Sequence, residues 1–246
     1  MNNTSQFLMP LDNFWPWDTL LADVYLSAAR FNPRLVNEIE LVNYGLTLPC
    51  HLTKAAPKRR GEFLAGRYCA YQALLQLTGD GAMVNRQADG APNWPKGCVG
   101  TISHSDNWVG ALVAYQTDYL ALGFDIEQRL GDTQGATLAA YLLTPQERLC
   151  LSHLPAAQLA FMMTLIFSLK ESLFKALYPL VNKRFYFEDA ELISWCSQSK
   201  TARLRLLSTL SEEWLQGQEI TGHYCCLDGH IMTLIALATP NDKQNL

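Results

Sequence analysis

Over residues 159–178, apolar side chains return at every fourth position: Phe161, Leu165, Leu169, Leu173 and Leu177. That spacing predicts a long helix carrying an apolar stripe, the strongest helical pattern in the chain. Lys170 and Glu171 lie off the stripe. Glu171 and Lys175 stand at i and i+4, in the order that favours pairing. The C-terminal residues read as strands, over 185–187, 190–195, 202–208, 218–226 and 231–238, with Asp228-Gly229 as a hairpin turn. A long helix followed by a run of strands predicts a mixed α/β chain whose C-terminal strands complete a second sheet. His223 and His230 read as polar strand positions rather than ligands.

A basic helix precedes this region. Lys54, Lys58, Arg59, Arg60 and Arg67 place five of the nineteen basic residues within fourteen positions. Phe63, Ala70, Leu74 and Leu77 give the helical period, and Gly79 stops it. Arg60 and Arg67, seven apart, share a face, and two guanidinium groups on one face can grip phosphate. The turn-rich Gly90-Ala91-Pro92-Asn93-Trp94-Pro95 stretch feeds a buried strand that ends in Ser103-His104-Ser105. Those donors suit phosphate or ribose. A serine hydrolase fits less well, because neighbouring residues on a strand point apart and the chain has no G-x-S-x-G elbow.

Residues 108–115 and 119–126 read as a β-hairpin joined by 116–118, with Gly123-Phe124-Asp125-Ile126-Glu127 at its end. On a strand, Asp125 and Glu127 point the same way, roughly 6–7 Å apart. Two carboxylates that close repel unless a cation lies between them. A hard ion such as Mg²⁺ takes one or two carboxylates with water and phosphate oxygens, and Glu171 offers a third. Alone, the Asp-x-Glu pair is also an ordinary strand end with two solvated acids. Elsewhere, 24–43 predicts a strand and a short helix and 136–143 a helix. Thr144-Pro145-Gln146-Glu147 is a helix start, with Thr144 as cap and Glu147 closing a capping box.

With 49% hydrophobic and 17% charged residues, the 246-residue chain can bury a sizeable core. Its net charge of −4 argues against bulk electrostatic binding of nucleic acid. Seven cysteines without a C-x-x-C indicate reduced thiols in a cytoplasmic protein, not a disulfide framework or zinc site. The start lacks the basic residues of a signal peptide, and no uninterrupted apolar run reaches the ~20 residues of a membrane span.

Taken in order, Arg59-Arg60-Gly61-Glu62-Phe63-Leu64-Ala65-Gly66-Arg67, Gly-x-Pro-x-Trp-Pro, Gly100-Thr101-Ile102-Ser103-His104-Ser105, Gly123-Phe124-Asp125-Ile126-Glu127 and Phe167-Ser168-Leu169-Lys170-Glu171-Ser172-Leu173-Phe174-Lys175-Ala176 resemble the motifs of the 4′-phosphopantetheinyl transferases. The likeness runs from about 54 to 190 and is to the surfactin/enterobactin type, in particular the enterobactin-synthetase component D group. It implies a fold of two similar α/β subdomains in a pseudo-two-fold arrangement, 1–118 and 119–246, with the cofactor cleft between them. It implies transfer of the 4′-phosphopantetheine arm of coenzyme A to a serine of an apo acyl or peptidyl carrier protein, with Mg²⁺, releasing adenosine 3′,5′-bisphosphate. Carried over, Asp125, Glu127 and Glu171 are the metal carboxylates, and Glu171 or Glu127 takes the serine proton. Lys170 and Lys175 lie near the pyrophosphate, Ser103 and His104 contact coenzyme A phosphate, and Arg60 and Arg67 contact the adenosine phosphates. A monomer is implied, since one chain forms the cleft, and the resemblance tilts toward siderophore or other secondary metabolism.

Four positions depart from the family pattern: Phe124, where only packing is expected to change; Thr101, in place of the more usual serine or asparagine two positions before Ser103; Leu169, beside Lys170, where cofactor fit is expected to change; and Ala91, which puts any phosphate contact from its loop in doubt. Two rival readings are a catalytically inactive coenzyme A or carrier-protein binding module and a metal-dependent nucleotide hydrolase.

Overall fold

A computed structural model describes residues 6–36, 45–131, 138–139 and 141–240 of the chain. It divides into two compact units, one of Met1–Trp15 and Ala22–Asp118, the other of Pro16–Leu21 and Tyr119–Leu246.

The first unit holds β1 (Leu8–Leu11), β2 (Tyr25–Phe31), α1 (Pro57–Thr78), a small ribbon of β3 (Asn85–Arg86) and β4 (Pro92–Asn93), β5 (Cys98–Ser105) and β6 (Trp108–Tyr115). Its antiparallel sheet runs β1-β2-β6-β5. Helix α1 begins with Pro57, whose missing N–H costs nothing in the first turn, and stops at left-handed Gly79 (φ 74°), whose N–H bonds Leu75 O. The residues it buries are mostly small or aliphatic, including Ala65, Cys69, Ala70, Ala73 and Leu74. They pack with Val109, Ala111 and Val113 of β6.

The second unit holds β7 (Tyr119–Gln128), α2 (Pro145–Leu151), α3 (Ala156–Val181), β8 (Ala190–Cys196), β9 (Thr201–Leu206), β10 (Glu219–Leu227) and β11 (His230–Ala238). Its antiparallel sheet runs β7-β11-β10-β9-β8. Asp228 and Gly229 both take positive φ (48° and 73°), as a tight β10–β11 turn requires. By length and composition α3 could cross a membrane, but 61% of its apolar window is buried inside the protein, which makes it the core helix of this unit.

The expected hairpin of 108–115 with 119–126 does not form. β6 spends one edge on β2 and the other on β5, so β7 pairs instead with β11, Asp125 opposite Thr233 and Glu127 opposite Ile231. Residues 185–187 are not a strand. Asp189 Oδ2 accepts the Tyr186 N–H at 2.7 Å, and the Asp189 N–H bonds Tyr186 O, closing one 3₁₀ turn at Phe187–Asp189. Of the helix expected over 136–143, residues 138, 139, 141 and 142 are helical, Leu143 is not, and 136, 137 and 140 lie outside the described residues. The strand expected in 24–43 is β2, followed by a 3₁₀ turn at Pro33–Leu35, and 37–43 lies outside the described residues. All seven cysteines are free thiols.

Candidate functional site

The second unit is built around a close approach of helix to strand. A Cβ on Gly123 of β7 would lie 1.8 Å from the carbonyl oxygen of Ser172 on α3, so only glycine fits there. The helix side of this seam is made of small hydroxyl residues. Ser168 Oγ and Ser172 Oγ lie 2.8 and 2.7 Å from Thr233 Oγ1, and Thr233 Oγ1 donates back to Ser168 O at 2.8 Å. All three side chains are buried.

One turn beyond Ser172, Lys175 reaches the end of β7. Its Nζ lies 2.6 Å from Asp125 Oδ1 and 3.1 Å from Phe124 O. Glu127, two residues on, shares the face of Asp125. Burial first, then the Asp125 charge, pushes its carboxyl up to about 8; Lys175 opposes the shift and Glu171 adds to it. Glu171 is raised in the same direction by burial, with Lys175 opposing and Asp125 adding. Asp125, Glu127, Glu171 and Lys175 therefore sense one another as a single cluster of three carboxylates and one ammonium. Such a set cannot stay fully ionised without further positive charge. Its donors are all hard oxygens, which fits Mg²⁺. Among the described residues, no three His, Cys, Asp or Glu side chains converge into a ready cage for an ion. Lys175 is the cation now seated at Asp125.

Lys170 does not join this cluster. The family resemblance implies a position with Lys175 near phosphate, but α3 is covered on more than one side, so a position off the apolar stripe is still internal. Its side chain is 2% exposed, and its Nζ donates to Leu142 O (2.9 Å), Glu147 Oε2 (2.8 Å) and Phe187 O (2.9 Å). Beside it a cavity of about 220 Å³ is lined by Lys170, Glu171, Phe174, Phe185, Tyr186 and Phe187, among others.

Three of the departures from the family pattern have local settings. Leu169 is fully buried and packs into the space left by Gly222, where a Cβ would lie 2.8 Å from Leu169 Cδ2. Phe124 is buried edge-on to Trp17, with ring centroids 5.7 Å apart. Ala91 sits in the ribbon loop, its N–H bonded to Asp89 Oδ1.

The first unit gathers the basic residues. Arg67 is 7% exposed, with its guanidinium 4.7 Å from the centroid of the Phe63 ring. Burial first, then the neighbouring charges of Arg86 and Arg59, lowers it to about 10. The Nε atoms of Arg60 and Arg67 are both buried without a hydrogen-bond partner in the protein. Strand β5 continues through Ser105, so Ser103 and His104 face opposite sides of the sheet rather than acting as one group. His104 Nδ1 approaches Glu62 Oε1 at 3.8 Å, while Ser103 is buried. Glu62 also meets Arg59 at 3.6 Å and Lys58 at 4.0 Å.

Glu62, Glu147, Gly123 and the Ser168/Ser172/Thr233 seam are not singled out by chemistry in the sequence. Glu62, four residues after Lys58 and three after Arg59, carries a readable ion-pair signal. A glycine inside a strand pattern also marks close backbone approach.

Residues 49–114 match the family profile of the 4′-phosphopantetheinyl transferase N-terminal domain, and residues 121–234 match that of the 4′-phosphopantetheinyl transferase superfamily. The chain is 37% identical over 193 residues to the 4′-phosphopantetheinyl transferase Svp of Streptomyces mobaraensis, covering 77% of each chain. It is 31% identical to the 4′-phosphopantetheinyl transferase PptT of Mycobacterium tuberculosis, covering 89% of this chain and 98% of that one. It is also 31% identical to enterobactin synthase component D of Salmonella typhimurium, covering 80% and 82%.

Proposed function

The chain belongs to the 4′-phosphopantetheinyl transferase superfamily, and on that premise we propose how its two side-chain clusters serve the reaction. It is a transferase that moves the 4′-phosphopantetheine arm of coenzyme A onto a serine of an apo carrier protein. The serine Oγ forms the new bond to the phosphorus that bears the pantetheine. The bond from that phosphorus to the bridging oxygen breaks, and adenosine 3′,5′-bisphosphate leaves. Such phosphoryl transfers are catalysed by positioning and by charge neutralisation, with no covalent enzyme nucleophile.

The observation that carries the assignment is the gathering of Asp125, Glu127, Glu171 and Lys175 where α3 rests on β7. Asp125, Glu127 and Glu171 would hold Mg²⁺, which when bound neutralises the pyrophosphate. Glu171 or Glu127 accepts the serine proton, and both lie in a site where a carboxylate is made more basic by burial. Lys175, already at Asp125, would meet the phosphoryl oxygens. The buried, unpartnered Nε atoms of Arg60 and Arg67 favour a role in gripping the adenosine phosphates, with His104, on the face of β5 opposite to that of the buried Ser103, adding a contact. The cavity beside Glu171, walled by Phe174, Phe185 and Phe187, suits the narrow, largely apolar pantetheine arm. The free thiols favour a reducing compartment such as the cytoplasm.

Intact-mass spectrometry of an apo carrier protein incubated with this chain, coenzyme A and Mg²⁺ tests the reading. One added phosphopantetheine arm, lost with EDTA, is the expected result. Coenzyme A binding without any transfer across several carriers would make the chain an inactive binding module. Coenzyme A breakdown with an unchanged carrier mass would make it a hydrolase.

A further inference from the structure

The three donors of the Lys170 ammonium are all spent inside the second unit, on Leu142 O, Glu147 Oε2 and Phe187 O. Its partner is equally committed. Glu147 Oε2 also accepts the Thr144 N–H at 2.8 Å, and Glu147 Oε1 accepts the Leu192 N–H at 2.7 Å. Both side chains are 2% exposed. One ion pair thus fastens the start of α2, the middle of α3, the start of β8 and the turn at Phe187. A buried pair of this kind adds little net stability over apolar residues of the same shape, because desolvation offsets the attraction. What it fixes is geometry. Glu171 follows Lys170 directly, and Lys170, Glu171 and Phe187 all line the cavity.

We infer that Glu147 and Lys170 are positioning residues for the transfer reaction, which hold Glu171 and the Phe187 wall of the cavity in place, and that Lys170 contacts no phosphate. The inference rests on the proposed transferase role of the Asp125/Glu127/Glu171 cluster. Each element is tied through an atom that cannot be replaced by water without opening the unit, so loss of either partner loosens the turn that carries Glu171.

The test compares Glu147→Gln and Lys170→Met with the unaltered protein, measuring kcat for carrier loading and, separately, the Kd of coenzyme A by calorimetry in the same Mg²⁺ buffer. Glu147→Gln retains a carbonyl acceptor and nearly the same shape, so it keeps the test alive if Lys170→Met, which strands a buried carboxylate, does not fold. The expected result is a fall in kcat of about ten-fold or more in each variant, with the Kd values of the two variants within about two-fold of each other. The double variant should be no worse than the weaker single one, because the two residues act as a unit. A rise in Kd of about ten-fold or more in Lys170→Met that Glu147→Gln does not share overturns the inference, since a phosphate contact would be lost only with the lysine, whereas a loosened cavity wall is common to both variants. So does an unchanged kcat in Glu147→Gln. Transfer by the unaltered protein is the reference reaction. A failure of the transferase role shows there, and a failure of the inference shows only in the variants.

Discussion

Gly123 and Ser172 meet backbone to backbone: a methyl group on Gly123 would lie 1.8 Å from the Ser172 carbonyl oxygen. Neither partner is a side-chain end that can swing aside, so Gly123→Ala must push α3 off β7. Lys175 and Glu171 ride on that helix and move with it. Transfer is expected to fall by about 100-fold, the scale of a 1 Å misplacement, and stability by about 3 kcal/mol from overpacking. Steady-state kinetics and chemical denaturation check both, and wild-type behaviour in either would mean that the seam yields to a methyl group.

Asp125→Asn keeps the shape of the side chain and removes its charge. Transfer is expected to drop by about 10²–10³-fold, the cost of losing a preorganised electrostatic group. The fold should persist, because Lys175 retains 25% side-chain exposure and can turn its ammonium to water. Circular dichroism and a melting curve read the second part. Near-normal transfer at moderate Mg²⁺ would remove Asp125 from the site.

Glu127 gives the protein a pH signature that metal should erase. Its folded pKa of about 8 lies above its ordinary 4.5, so the native state holds this proton more tightly than the unfolded chain. The associated stability is complete below 4.5 and is lost as pH rises through 8. In EDTA, the melting temperature should therefore decline between about pH 5 and about pH 8.5, with Glu171 adding in the same direction. Glu127→Gln should flatten the decline. Mg²⁺ should raise the melting temperature at about pH 8.5 more than at about pH 5, because it binds the deprotonated carboxylates. An equal Mg²⁺ effect at both pH values would place the ion elsewhere.

Leu169 and Gly222 compensate each other. Gly222→Ala sets a Cβ 2.8 Å from Leu169 Cδ2 in a fully buried spot and is expected to cost about 1–3 kcal/mol. Adding Leu169→Ala should recover part of that loss even though Leu169→Ala alone costs about 2–5 kcal/mol. A double-mutant cycle measures the coupling, and simple additivity would show that the two residues do not share the space.

The parts of this molecule that are legible in its sequence are those governed by period. The four-residue apolar repeat finds α3, Gly79 ends α1 where expected, and four of the C-terminal strands fall within a few residues of their observed limits. Contests between segments are not legible. Residues 108–115 and 119–126 have the spacing of a hairpin, yet β6 is claimed on both edges by β2 and β5, and nothing local to the turn reveals that. Lys170 lies off the apolar stripe, a place that reaches solvent only on a helix covered on one side, and the stripe alone does not show that α3 is covered on more. Glu147 is explained so completely by its capping box that nothing in the sequence points to its second oxygen, which bonds Leu192. Asp125, Glu127, Glu171 and Lys175 are legible as a group because strand alternation and helix period place each pair on one face, and the structure joins the two pairs through Lys175.

The second unit also contains Pro16–Leu21, with Trp17 against Phe124 and Thr19 Oγ1 3.1 Å from His223 Nδ1. A gene fragment that begins at Tyr119 is therefore not that unit but the unit with a missing piece. One protease nick after Asp118 would leave its two parts on different polypeptides. Ribosomal synthesis makes the short piece before its larger complement, so this half of the molecule reaches its finished form only when two stretches about a hundred residues apart have both left the ribosome.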